Sequence, residues 1–253
     1  IVESSEIERE DLVIEIGPGL GTLTKYLLEK AGKVICIELD KKMVRILEDR
    51  FKLYNNFELL YQDVLKVDLK NLIKKEKEKN NFKNVKIVAN LPYYITTPII
   101  MKLLEEKLDL ESITVMIQKE VADRLIATPG DKETGAITYS VYYYATSQAI
   151  LEVPNDSFIP EPEVTSKVIK LNIRKNPPVK VKSKEVMFRI IKSAFMQRRK
   201  TLLNALVNTK VFLNKEEGIR ILKEIGLAED IRAEKLTIED FAKITNIILE
   251  KTI

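Results

Sequence analysis

The sequence predicts an α/β protein, with a doubly wound parallel sheet in residues 1–175 and a smaller helical domain in 176–253. Three observations carry this. The apolar run 11–16 leads into Gly17-Pro18-Gly19-Leu20-Gly21, then into helically spaced apolar residues, then into a second apolar strand. Strand and helix patterns go on alternating as far as Gln118. Beyond Asn176-Pro177-Pro178, the best domain boundary, every periodic segment has helical spacing.

The elements follow in order. Residues 1–10 are polar and read as the end of a helix or a loop; the chain opens at Ile1 and not Met, as a fragment lacking its natural start would. Asp11 to Ile16 is a short apolar strand. Thr22 to Ala31 puts its apolar residues on one helical face, and Gly32 closes that helix. Lys33 to Asp40 is the second strand, 41–51 an amphipathic helix, and Phe57 to Asp63 a third strand ending in a carboxylate. Lys70 to Asn84 is Lys-rich and reads as a surface helix or loop. A fourth strand, Val85 to Ala89, is followed by a helix from Thr97 to Glu106, a fifth strand from Ile113 to Gln118 and a helix from Lys119 to Ala127. A turn-rich loop at 128–135 leads to a helix, Ala136 to Ala145. Gln148 to Val153 and Lys167 to Ile173 alternate as antiparallel strands would. Helices are expected at 183–196, 198–207, 215–225 and 237–250.

Composition narrows the chemistry. With 45% hydrophobic and 32% charged residues the chain is a globular protein, and its apolar runs are too short to span a membrane. A cytoplasmic protein is expected. The single cysteine, Cys36, lies in a strand pattern and reads as a core residue. There is no histidine. That excludes His-based metal sites and imidazole acid–base catalysis, and no metal is expected. The formal charge of +4 is too small to argue for a polyanionic partner by itself.

Strand ends carry the candidate site. Gly17, Gly19 and Gly21 allow close approach of a ligand to the backbone. The dinucleotide fingerprint wants its third glycine one place later, at Thr22, so a nicotinamide oxidoreductase fits poorly. Glu38 ends the second strand, where a carboxylate can accept ribose hydroxyls. Asp63 ends the third, where it can accept from an adenine amine or simply cap a turn. Asn90-Leu91-Pro92-Tyr93-Tyr94 ends the fourth. Pro92 holds Leu91 extended, so the Asn90 amide and nearby carbonyls form acceptors beside the flat Tyr93 ring. Such a group suits a planar, amine-bearing ring; an ordinary strand-to-loop turn is the alternative.

GPGLG, VICIELD, QDVL, NLPYY, QKEVADRL and FIPEPEV, in that order, resemble the small-subunit rRNA adenine dimethyltransferases, and the resemblance covers nearly the whole chain. It implies a Rossmann-like, S-adenosylmethionine-dependent methyltransferase domain with a C-terminal helical RNA-binding domain. Gly17, Gly19, Glu38, Asp63 and Asn90 would contact the cofactor. Asn90, Leu91 and Pro92 would bracket the target amine, and Tyr93 and Phe158 would wall the extruded adenine. The target would be two adjacent adenosines near the 3′ end of small-subunit ribosomal RNA, within the pre-ribosomal subunit, and the enzyme a monomer. Arg198, Arg199 and Lys200, expected to start a helix, would bind RNA phosphates, because cations oppose the macrodipole there unless an anion is bound. An Erm-like large-subunit methylase, a DNA adenine methylase and a non-catalytic assembly factor are the alternatives. Family members usually begin with a Gln-Asn-Phe-Leu-type segment that closes over the cofactor, which this sequence lacks.

Overall fold

A computed structural model describes residues 1–158 and 161–250. Packing divides it into two compact units: Ile1–Ala122 with Ala145–Ile173, and Asp123–Tyr144 with Arg174 onward. The chain thus crosses between units three times, where the sequence suggested one cut after 175. Among the described residues no helix is long and apolar enough to cross a membrane.

The first unit is one sheet. Its strands are β1 (Asp11–Ile16), β2 (Lys33–Glu38), β3 (Phe57–Tyr61), β4 (Asn84–Asn90), β5 (Ser112–Gln118), β6 (Ala145–Val153) and β7 (Ser166–Ile173). They lie in the order β3-β2-β1-β4-β5-β7-β6, with the first five parallel and β7 and β6 antiparallel. The central strands β1, β4 and β5 are mostly apolar and are buried along nearly their whole length. Strand order reverses between β1 and β4. The carboxyl ends of strands at such a point open onto a crevice.

Helices α1 (Thr22–Lys30) and α2 (Lys41–Phe51) bury Leu27, Leu28, Leu47 and Phe51 against Val13, Val34, Cys36 and Val88. Asp40 caps α2 by accepting from the Lys42 N–H at 2.7 Å. Gly32 does not close α1 with a left-handed turn. The helix ends at Lys30 with Ala31 as its cap, and a Cβ at Gly32 would stand 2.3 Å from the Arg9 carbonyl oxygen. The site needs glycine for space. Nor is the Lys-rich stretch a mere excursion. Helix α3 (Leu69–Asn80) buries Leu69, Ile73 and Glu76, and Lys33 Nζ bridges Glu58 at 2.6 Å and Glu76 at 2.7 Å. Helix α4 (Thr96–Glu105) follows β4, and α5 (Lys119–Ile126) follows β5.

The second unit holds α6 (Ala136–Tyr144), α7 (Lys184–Met196), α8 (Leu202–Asn208), α9 (Lys215–Glu224) and α10 (Ile238–Glu250). Its core joins Tyr139 to Ile190, Leu206, Phe212, Leu236 and Phe241. Tyr139 is fully buried. Its hydroxyl donates to the Leu236 carbonyl at 2.7 Å, and its ring meets Phe241 edge-on at 5.0 Å. These partners explain why α6 packs with helices far along the chain.

Candidate active site

The ends of β1, β2, β3 and β4 bring the sequence-derived residues to one edge of the sheet. After β1 the backbone enters the left-handed region at Gly17 (φ 65°), Gly19 (56°) and Gly21 (78°). The Gly17 N–H donates to the Ile37 carbonyl at 3.0 Å, which seats the turn on β2. A Cβ added at Gly19 would meet nothing within 4 Å, so the main chain is open there. One added at Gly17 would lie 3.9 Å from Pro92 Cδ, so the turns after β1 and β4 stand side by side.

Glu38 is buried, and main-chain donors hold its carboxylate. Oε1 accepts from the N–H groups of Leu39 and Asp40 at 2.8 and 2.9 Å, and Oε2 from Gly19 at 3.2 Å. A carboxylate has about four acceptor positions. Glu38 can therefore take one further hydroxyl while keeping all three bonds, and a second by releasing Gly19. Asp63 is half-buried. Its Oδ1 caps the turn Val64–Lys66 by accepting from Leu65 N–H at 3.0 Å, and Oδ2 has no partner among the described residues. Cap and ligand acceptor are compatible roles for it.

Asn90 ends β4 exposed, and its amide has no partner among the described residues. Leu91 is buried, its N–H donating to the Met116 carbonyl at 3.1 Å. The Pro92 carbonyl accepts from Ile95 N–H at 3.2 Å and from the Thr96 hydroxyl at 3.0 Å, which locks the turn into α4. Tyr93 Oη and Ser166 Oγ are 2.7 Å apart, so the ring is tied to β7. Asn90, Leu91, Pro92, Tyr93, Phe158 and Pro162 line a cavity of about 310 Å³. Asn90 also lines a second cavity of about 490 Å³, alongside Thr22, Tyr26 and Met116. A free amide thus stands where two cavities meet.

Two further residues matter. Ser166, the first of its strand, carries no local signal that it would reach Tyr93. Glu15 could have been found as a carboxylate set inside an apolar strand, between Ile14 and Ile16. It is 1% exposed, and its Oε2 accepts from Thr24 Oγ1 at 2.6 Å and Cys36 Sγ at 3.4 Å. Burial pushes its carboxyl up to about 7, the Glu38 charge adding to the rise and the bonds from Thr24 and Cys36 opposing it. Folded Glu15 keeps its proton to higher pH than the unfolded side chain at 4.5. Stability is therefore lost between about 4.5 and 7 as pH rises, by up to about 3 kcal/mol. Glu15→Gln should gain on the wild type between pH 5 and 8 in urea unfolding. Parallel pH profiles would contradict this.

Arg198, Arg199 and Lys200 do not start a helix. They occupy the exposed turn between α7 and α8, and Thr201 caps α8 through its hydroxyl, which accepts from the Asn204 N–H at 3.3 Å. With the cap after them, they lie outside the first helical turn, and the macrodipole argument loses its force. Arg198 also donates to the Thr134 carbonyl at 3.0 Å.

A sequence profile of the ribosomal RNA adenine dimethylases matches residues 1–250. The chain belongs to the ribosomal RNA adenine dimethylase family. Within it, ribosomal RNA small subunit methyltransferase A of Lachnoclostridium phytofermentans is 48% identical over 253 residues, 99% of this chain and 86% of that protein. A dimethyladenosine transferase from Plasmodium falciparum superposes with a TM-score of 0.80 at 26% identity, covering 100% of this chain and 94% of the other. The 23S rRNA methyltransferase ErmE, 20% identical, superposes at 0.72 over 98% of this chain and 95% of its own, which is a likeness of fold alone. A dimethylase with this strand order presents Asn90 beside the switch between β1 and β4.

Proposed function

We propose that this dimethylase transfers methyl groups from S-adenosylmethionine to N6 of two adjacent adenosines near the 3′ end of small-subunit ribosomal RNA, each dimethylated in the pre-ribosomal subunit. It acts in the cytoplasm as a monomer. The observation that carries this reading is the unpartnered Asn90 amide at the junction of two cavities, one walled by Tyr93 and Phe158. Near-half identity to proteins named for the small subunit favours that subunit over the large.

The strand-end residues fit the cofactor. The open main chain at Gly19 leaves room for it, and the spare acceptors on Glu38 and Asp63 match ribose hydroxyls and an adenine amine. When bound, the cofactor supplies a methyl group on a sulfonium. The N6 lone pair of adenine is delocalised into its ring and attacks poorly. Asn90 Oδ1 and a main-chain carbonyl of the Asn90–Pro92 turn would accept the amine hydrogens and favour a more tetrahedral, more nucleophilic nitrogen. Positioning and fixed dipoles then suffice without a strong base. Tyr93 and Phe158 would hold the extruded base between them. Arg198, Arg199 and Lys200 would contact RNA phosphates.

Incubating under-methylated small subunits with labelled cofactor and mapping the product tests the reaction. Label on adjacent adenosines near the 3′ end is expected. Label on large-subunit RNA, or none, defeats the reading. Tyr93→Ala should weaken RNA methylation by about 10- to 100-fold, since a stacked base is worth about 1–3 kcal/mol. Its cofactor affinity, read by calorimetry, should stay within about twofold. Equal losses in both would remove the stacking role.

A further inference from the structure

The turn that carries Asn90 holds a second aromatic ring that the fold does not use. Tyr94 is 86% exposed, and neither its hydroxyl nor its ring has a hydrogen-bond, ionic or ring partner among the described residues. Its neighbour Tyr93 is tied to Ser166 and lines the cavity with Asn90 and Phe158. Single exposed aromatics are common on protein surfaces. The place of this one sets it apart. It directly follows the wall of the base cavity, on a backbone fixed by the two hydrogen bonds to the Pro92 carbonyl.

Extruding a base leaves its neighbour in the strand with a bare face, and that loss opposes extrusion. Single-stranded RNA is commonly held by stacking its bases on aromatic side chains, which suits any base because each has a π-face. A ring that the fold leaves unengaged, one residue beyond the cavity-lining Tyr93, meets this need.

We propose that Tyr94 is a second base-binding subsite, stacking on the nucleotide next to the extruded adenosine. The proposal rests on the RNA-methylating reading above. Tyr93 then serves the base that reacts, and Tyr94 the base that stays behind.

The test measures kcat and KM for under-methylated small subunits with Tyr94→Ala, Tyr94→Leu, Tyr94→Phe and Tyr94→Trp. Ala and Leu should raise KM about tenfold or more, with kcat and cofactor affinity near wild type. Phe and Trp should stay close to wild type. An exposed side chain has no packing to lose, so Tm should hold for all four. A Leu variant as good as Phe would mean that apolar bulk, not stacking, matters, and an unaffected Ala variant would remove the subsite. Placing the photoreactive p-benzoylphenylalanine at position 94 and mapping its crosslink on the bound subunit gives an independent readout. A crosslink to the nucleotide flanking the methylated adenosine supports the subsite, and one elsewhere overturns it. Should the wild-type chain transfer no label, the proposed reaction fails by itself. A crosslink to a nucleotide flanking the adjacent adenosines near the 3′ end would still uphold the subsite, and a crosslink elsewhere, or none, would overturn it.

Discussion

Asn90→Ala is expected to slow methyl transfer to small-subunit RNA by about 10²- to 10³-fold, the usual loss when one preorganised polar group at a reacting centre is removed. The side chain is exposed and makes no hydrogen bond among the described residues, so the fold has little to lose. Its Tm should move by no more than about 2 °C. Asn90→Asp keeps an acceptor oxygen and should retain more activity than Ala. Single-turnover transfer of a labelled methyl group, with the subunit saturating, separates these outcomes. A near-normal rate for the Ala variant would remove Asn90 from the chemistry.

Gly21→Ala should destabilise the sheet unit strongly. The position is left-handed at φ 78°, which costs a residue with a Cβ about 1–2 kcal/mol. The new methyl would also stand 2.5 Å from Phe51 Cε2 and 2.9 Å from Leu47 Cδ2, both in side chains sealed in the core. Overpacking of this kind costs about 1–3 kcal/mol more. Gly19→Ala shares the first cost and escapes the second, because nothing lies within 4 Å of its Cβ. Scanning calorimetry should find Gly21→Ala lower in Tm by about 5–15 °C and Gly19→Ala by markedly less. Equal losses would show that backbone strain alone decides. Gly19→Ala should instead weaken cofactor binding, by filling the open face of the turn.

Much of the sheet was legible because parallel strands buried on both faces read as near-continuous apolar runs. Asp11 to Ile16 and Ser112 to Gln118 are mostly apolar in this way, although Glu15 and Thr114 interrupt them. The strand-end residues were legible for a related reason. Glycines, carboxylates and an Asn-Leu-Pro turn are out of place at the mouth of an apolar strand unless the ends do something. Contacts made at long range were not legible. Ser166 meets Tyr93 across 73 residues, and Tyr139 meets Leu236 across 97, neither with a local pattern to announce it. The basic turn at 198–200 was misread as a helix start because its cations run directly into the apolar periodicity. The hydroxyl of Thr201 decides the boundary, and a cap is visible only once its hydrogen bond is seen.

The buried Tyr139 also bears on how the chain matures during synthesis. Its hydroxyl acceptor at Leu236 and its edge-on partner Phe241 emerge about a hundred residues after it, which at 5–20 residues per second is a delay of about 5–20 s. Through that interval α6 exists without most of the helices that enclose it. The helical unit can close only when translation is nearly finished. A stop codon that removes α10 would leave an apolar face exposed on a nascent protein, and aggregation should be the visible result.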